Sequence, residues 1–328
     1  MTRLSDTAIL LQQSGMPEDR QGRVRERMSK RLKREVKADD TQRVRRANYY
    51  RFSDYTDYED MEALIEALLQ EDMTEAAARA ARAYDALVVG GSINNMGKAL
   101  DAFEAVMRQV FTGNTEKVIQ QTVERLVDKG ALVAGLEDGL RDTIAKNDVI
   151  EGIMDSAKWY TNTHFDRVVM PEIYAKLDDI AALNLAPTDH LAEVRNLAMS
   201  DIDKENWRLR LTANGAASKG YHYGVVKGGW DAGFRIYRFV AILDDRTSEV
   251  CEHMNGKEFQ VADAVSVAER RTQGQPENVK EFAPWFSTDD LYDGQGEGRR
   301  AKTNQELARM GCLLPPLHAN CRSSIYLA

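Results

Sequence analysis

Apolar residues recur at helical spacing through most of the first two thirds of the chain. Between about residues 61 and 209 they lie three or four positions apart, as do Leu64 with Leu68 and Phe103 with Met107. This spacing places the apolar side chains on one face of an α-helix. The alternating apolar and polar runs that indicate strands do not occur in this stretch. The pattern therefore predicts a helical body.

The pattern changes after about Ser200, where aromatic residues and glycines become frequent. Residues 236–243 are mostly β-branched or aromatic and are typical of a strand. A turn at Gly256 leads into a second short strand, and residues 324–328 predict a further one. We therefore expect an α+β fold, mainly α-helical in the N-terminal two thirds and with a compact α+β domain at the C-terminus.

Charge is distributed unevenly along the chain. Residues 1–51 carry 14 Lys and Arg against 7 Asp and Glu, whereas the whole chain has a net charge of −8. Such a basic arm can bind the phosphates of double-stranded DNA without reading their sequence, or dock on the acidic face of a protein partner. A third interpretation is a solvated helix. The candidate nucleic-acid or partner-binding residues are Arg20, Arg23, Arg25, Arg27, Lys30, Arg31, Lys33, Arg34, Arg43, Arg45 and Arg46.

Two short segments of the last third, 243–257 and 315–324, each contain one Cys close to one His. Thiolate and imidazole are ligands that zinc prefers, and four of them form a closed, structural site. Such a site would join two segments whose histidines are separated by 64 residues. The candidate zinc ligands are Cys251, His253, His318 and Cys321.

The same two segments allow other interpretations. The cysteines can be small buried residues, with histidines that hydrogen-bond backbone carbonyl groups. Alternatively, Arg246 and Arg322 hydrogen-bond carboxylates such as Asp244 or Asp245 in a polar network. We expect the remaining cysteine, Cys312, to be a buried small residue beside two leucines.

Several classes of protein are excluded or disfavoured by the sequence. No run of 18 apolar residues occurs, so we expect no membrane span. The first residues lack the apolar core of a signal peptide, which favours the cytoplasm. Three cysteines are too few for a disulfide framework. Gly-x-Ser-x-Gly, P-loop, His-Glu-x-x-His and dinucleotide motifs do not occur, so we expect no enzymatic activity.

The order of motifs in the C-terminal third resembles the Mu protein F-like minor head proteins, also called the phage head morphogenesis domain. The motifs are an aromatic strand, Leu-Asp-Asp-Arg-Thr-Ser (243–248), Cys-x-His (251–253), Asn-Gly-Lys (255–257) and Pro-Pro-Leu-His-Ala-Asn-Cys-Arg-Ser (315–323). The resemblance covers about residues 200–328. Apart from the thiols and imidazoles, the motif residues are Asp244, Asp245, Arg246, Thr247, Asn320 and Arg322.

This resemblance implies a minor capsid protein of a tailed bacteriophage or prophage, located in the virion and, during assembly, in the host cytoplasm. Its expected partners are the portal protein, other capsid or scaffolding proteins and, in some members, DNA. Together with the charge and periodicity, we therefore expect a basic arm (1–50), a helical body (51–200) and the head morphogenesis domain that the resemblance implies (201–328).

The chain also departs from the family pattern. Members often have Cys-x-x-Cys in the first segment and Cys-Arg-Cys in the second. This chain has Cys251-Glu252-His253 and Cys321-Arg322-Ser323, so its ligand set is altered. The alternative hypothesis for function is a metal-dependent nuclease or other hydrolase acting on phage DNA, in which a carboxylate activates water beside the histidines.

Overall fold

A computed structural model of the chain describes residues 78–86, 96–108, 114–135, 144–183, 185–272, 285–294, 299–318 and 321–328. Within these ranges the helices are α1 (78–86), α2 (Met96–Arg108), α3 (Asn114–Val133), α4 (Ile144–His164), α5 (Met170–Ala182), α6 (Pro187–Asp231), α7 (Glu249–Met254), α8 (Val261–Arg270) and α9 (Asn304–Arg309). A π-helical turn (Phe165–Val169) joins α4 to α5, and a 3-10 turn covers Thr288–Leu291. The strands are β1 (Ile236–Val240), β2 (Glu258–Gln260), β3 (Tyr292–Asp293), β4 (Arg300–Ala301) and β5 (Ser324–Leu327).

A small antiparallel sheet has the strand order β2-β1-β5, and β3 pairs with β4 in a separate hairpin. Tyr237 and Phe239 of β1 point into the core, whereas Arg238 between them is exposed, which is the alternation expected of a strand covered on one face. The described part of the chain is thus mostly helical with a small antiparallel sheet, in agreement with the predicted α+β class.

Strand β1 ends earlier than the sequence predicts. The pattern indicates a strand over 236–243, but the ladder stops at Val240. The next backbone N–H, that of Ala241, donates to the Asn255 side chain at 3.0 Å. The strands expected after Gly256 and at the C-terminal end are present as β2 and β5.

Helix α6 is 45 residues long and continues through the stretch where the sequence pattern changes. It begins at Pro187, so Asp189 lies in its first turn. The predicted domain boundary at residue 200 falls inside this helix, and the division into 1–50, 51–200 and 201–328 stays a prediction. No helix in the described ranges is both long and apolar enough to cross a membrane.

The described residues fall into two compact units. The first contains those within 78–119 and 158–212. In its core the Tyr84 ring packs edge-on against Phe103 and stacks on the ring of His190, with centroids 6.3 Å and 5.9 Å apart. His190 Nδ1 also lies 3.1 Å from Asp85 Oδ1. His190 is therefore a buried packing residue of this unit.

The second unit contains the described residues within 120–157 and 213–328. Within it, α6 crosses α3 along a face of three glycines at intervals of four: Gly220, Gly224 and Gly228. A Cβ atom on Gly224 would overlap the backbone of Val127, and one on Gly228 would lie 2.7 Å from Ala131 Cα. Because glycine has no Cβ, the two backbones can approach this closely.

A buried clamp in the second unit fixes the loop that leads to the C-terminal Cys/His segment. Arg271 donates hydrogen bonds to the carbonyl oxygens of Leu314 and Gly311, both at 3.0 Å, and Tyr237 donates to that of Leu313 at 2.7 Å. Burial lowers the pKa of Arg271 to about 10. The clamp holds the loop against β1 and so sets the position of the residues that follow it.

Candidate metal site

The segment after β1 forms a turn that is held by two of the motif residues. The backbone N–H of Asp244 donates to Thr247 Oγ1 at 2.7 Å, and the backbone N–H of Arg246 donates to Asp244 Oδ1 at 3.0 Å. The Asp245 and Arg246 side chains are exposed. Asp244 and Thr247 therefore shape the turn from which α7 begins.

Asp244 also connects the two Cys/His segments through Arg322. The Arg322 guanidinium donates to both carboxylate oxygens, at 2.8 Å from Nη1 to Oδ2 and 2.5 Å from Nη2 to Oδ1. These hydrogen bonds lower the pKa of Asp244 to about 2, against the opposing effect of burial. Of the two arginines in the predicted polar network, Arg322 pairs with the Asp244 carboxylate of the other segment. Arg246 hydrogen-bonds the same carboxylate through its backbone N–H.

Three of the four candidate ligands lie together beside this ion pair. The ligand atoms of Cys251, His318 and Cys321 are all within 4.8 Å of one another. Cys251 Sγ lies 3.0 Å from His318 Nε2 and 3.7 Å from Cys321 Sγ. Both cysteines are buried and the histidine is half-buried. This Cys-His-Cys cluster could hold a metal ion.

The sulfur–sulfur distance of the cluster fits a tetrahedral metal. With Zn–S bonds of about 2.3 Å, two sulfurs on one zinc lie about 3.8 Å apart, close to the observed 3.7 Å. The hydrogen bond from Cys321 lowers the pKa of the Cys251 thiol to about 6. The same contact, together with burial, raises the pKa of Cys321. One thiolate is therefore already favoured at neutral pH, as metal binding requires.

His253 is not part of the cluster. It follows Cys251 by two positions on α7, and residues two apart point to nearly opposite sides of a helix. Its ring lies against that of Tyr292, with centroids 5.2 Å apart and Nδ1 3.4 Å from the tyrosine hydroxyl. Burial lowers the pKa of His253. The structure thus brings together Cys251, His318 and Cys321 and leaves His253 on the other face of α7.

Two serines beside the cluster were not among the predicted site residues. Ser248 Oγ lies 2.7 Å from His318 Nε2, and the buried Ser323 hydrogen-bonds Cys251. The sequence feature that indicates Ser248 is its place three positions before Cys251, where a serine favours the start of a helix. Of the other predicted site residues, Asn320 and the whole basic stretch of residues 20–46 lie outside the described residues.

Comparison with known proteins adds no relative. No protein-family model, no curated protein and no solved structure matches the chain.

Proposed function

We propose that the chain is a minor capsid protein of a tailed bacteriophage or prophage that acts at the portal vertex during procapsid assembly. The observation that supports this most is the meeting of the two segments that carry the resemblance. Asp244 of the first segment pairs with Arg322 of the second, and Cys251 meets His318 and Cys321. These contacts hold the two segments together, which supports a structural role for the residues that make them.

We further propose zinc as the metal of the Cys-His-Cys cluster. Two thiolates and an imidazole are soft and borderline ligands that zinc prefers over magnesium or calcium. The cluster joins the short helix α7 to the loop before β5, where a bound metal adds stability that short elements cannot supply. The role of the metal is therefore structural.

The polar groups beside the cluster favour this structural role over hydrolysis. In the nuclease alternative the general base is a carboxylate, which must be available to a water molecule. Asp244 is held by both guanidinium nitrogens of Arg322, and its pKa is lowered to about 2. It is therefore a poor proton acceptor near neutral pH, which speaks against the alternative of a metal-dependent nuclease.

The test is co-expression of the full chain with the portal protein of the same phage genome. We expect the two to co-purify and the chain to appear in assembled procapsids at low copy. An unrelated major capsid protein serves as the control bait. The proposal fails if the chain is absent from procapsids that assemble normally.

The nuclease alternative has its own readout. Plasmid DNA incubated with the purified chain and Mg²⁺, Mn²⁺ or Zn²⁺ should stay intact. Cleavage that disappears in a His318→Ala variant would support the nuclease instead. A salt series of DNA binding, with and without residues 1–50, tests DNA as a partner of the basic arm, because phosphate contacts make binding salt-dependent.

A further inference from the structure

The Cys-His-Cys cluster supplies three ligand atoms, whereas a structural zinc site has four. A further oxygen beside the set is that of Ser248, whose Oγ lies 2.7 Å from His318 Nε2. Cys251 Sγ lies 3.0 Å from the same nitrogen. The imidazole edge therefore faces the serine oxygen and the cysteine sulfur together.

The position of Ser248 is fixed by the fold. Ser248 is the N-cap of α7, with extended backbone angles (φ −71°, ψ 150°), and its Oγ accepts a hydrogen bond from the Cys251 backbone N–H at 3.2 Å. A residue three positions before Cys251 lies on the same side of the helix as Cys251. The capping bond uses one lone pair of the hydroxyl oxygen. The other can bind a metal once His318 Nε2 is itself a ligand and no longer shares a proton with the hydroxyl.

We propose that the Ser248 hydroxyl is the fourth ligand, which gives a closed site of two thiolates, one imidazole and one neutral oxygen. This inference rests on the metal site of the proposed function. Both cysteines bind the metal as thiolates, so any thiol proton still present is released on binding, and the serine keeps its proton. Two thiolates then balance the two charges of the zinc ion, which suits a cluster whose cysteines are buried. With four protein ligands, the metal has no open position for a reacting water.

The experiment is cobalt substitution in the full-length chain after removal of bound metal with a chelator. Cobalt(II) reports thiolate ligands by a charge-transfer band and coordination geometry by its visible bands. In Ser248→Cys we expect the charge-transfer band to grow in proportion to a third thiolate and the affinity to rise. In Ser248→Ala we expect affinity to fall by at least the roughly 10- to 100-fold that loss of a residue supporting the ligands costs.

An exogenous anion separates a closed site from an open one. Azide should leave the cobalt spectrum of the wild-type chain unchanged and alter that of Ser248→Ala, in which the fourth position is open. Ser287→Ala is the matched control, because Ser287 also caps a short helical turn and lies outside the cluster. We expect it to match the wild type in affinity and spectrum.

The outcomes distinguish this inference from the metal site itself. If the wild-type chain binds neither zinc nor cobalt, the metal site of the proposed function is wrong and the fourth ligand with it. If the wild type binds cobalt but responds to azide, or if Ser248→Cys gains no thiolate band, only the fourth ligand is overturned.

Discussion

Asp244 and Arg322 are 78 residues apart in the sequence and form a two-point ion pair through two hydrogen bonds. The side chain of Asp244 is only 8% exposed, so the pair is shielded from water on the carboxylate side. A bidentate arginine–carboxylate pair fixes orientation as well as distance. It therefore aligns the segment before α7 with the segment before β5, on which the Cys-His-Cys cluster depends.

Replacing the carboxylate should destabilise the fold at neutral pH. Asp244→Asn removes the negative charge that faces Arg322, and a lowering of the pKa from 3.8 to about 2 corresponds to about 2 kcal/mol. Because the folded pKa is below the unfolded one, this stability is present above pH 3.8 and is lost as the pH falls towards 2. Denaturation midpoints of the two proteins should therefore differ at pH 7 and converge in acid.

The control for this prediction is an ion pair on the surface. Arg238 and Glu258 pair at 2.7 Å across β1 and β2, with side chains 54% and 48% exposed. Glu258→Gln should change the free energy of unfolding by less than about 1 kcal/mol. Equal effects of the two substitutions would contradict a special role for Asp244.

The two histidines of the Cys/His segments should behave differently towards metal. On the proposed zinc site, His318→Ala removes a ligand and should abolish stoichiometric zinc, as measured by elemental analysis of the purified protein. His253→Ala should keep the zinc, because His253 lies against Tyr292 on the other face of α7. Loss of zinc in His253→Ala with retention in His318→Ala would contradict the geometry of the site.

The glycine face of α6 should not tolerate a methyl group. In Gly224→Ala the Cβ would overlap the Val127 backbone, so the helices must separate, and we expect a loss of more than about 2 kcal/mol of stability. Gly215 of the same helix is the matched control, since a Cβ there meets no atom within 4 Å. Gly215→Ala should stabilise by about 0.5–1 kcal/mol, the helix preference of alanine. Thermal and urea unfolding measure both.

Acid should also destabilise the second unit through His222. Its Nδ1 lies 2.7 Å from the Ser218 carbonyl oxygen, and burial, aided by the Arg271 charge, lowers its pKa to about 4. The unfolded chain takes up a proton near pH 6.5 and the folded chain does not. Stability is therefore full above pH 6.5 and falls by about 2–3 kcal/mol as the pH approaches 4.

The variant His222→Asn isolates this contribution, since its side-chain N–H can keep the bond to Ser218. Urea unfolding at pH 7.5 and pH 4.5 should show a smaller pH effect in the variant than in the wild type. The same pH dependence in both proteins would exclude His222 as its source.

Local pattern predicted β1, β2 and β5 correctly, because β-branched and aromatic runs bounded by turns need little tertiary information. The early end of β1 depends on the Asn255 side chain, which lies 14 positions away from Ala241 and cannot be anticipated from the strand itself. In the sequence, the glycines of α6 indicate only a change of composition after about Ser200. Their spacing of four was the available sign of a helix contact.

The candidate site was predicted in part for a similar reason. Three of the four candidate ligands, Cys251, His318 and Cys321, lie in one cluster, which brings the two Cys/His segments together as predicted. The position of His253 depended on whether residues 249–254 are a helix or an extended segment, and six residues are too few for a periodic signal. Because the segment is helical, Cys251 lies at the site and His253 lies outside it.

The close contact between α3 and α6 has a practical consequence for cutting the protein into pieces. A fragment that starts at residue 201 would retain Gly220, Gly224 and Gly228 but lack the helix against which they lie. The glycine face of α6 would then be exposed to water, and such an uncovered helix contact favours aggregation. A fragment designed to keep this contact should instead link residues 120–157 to 213–328, two stretches that are separate in the gene.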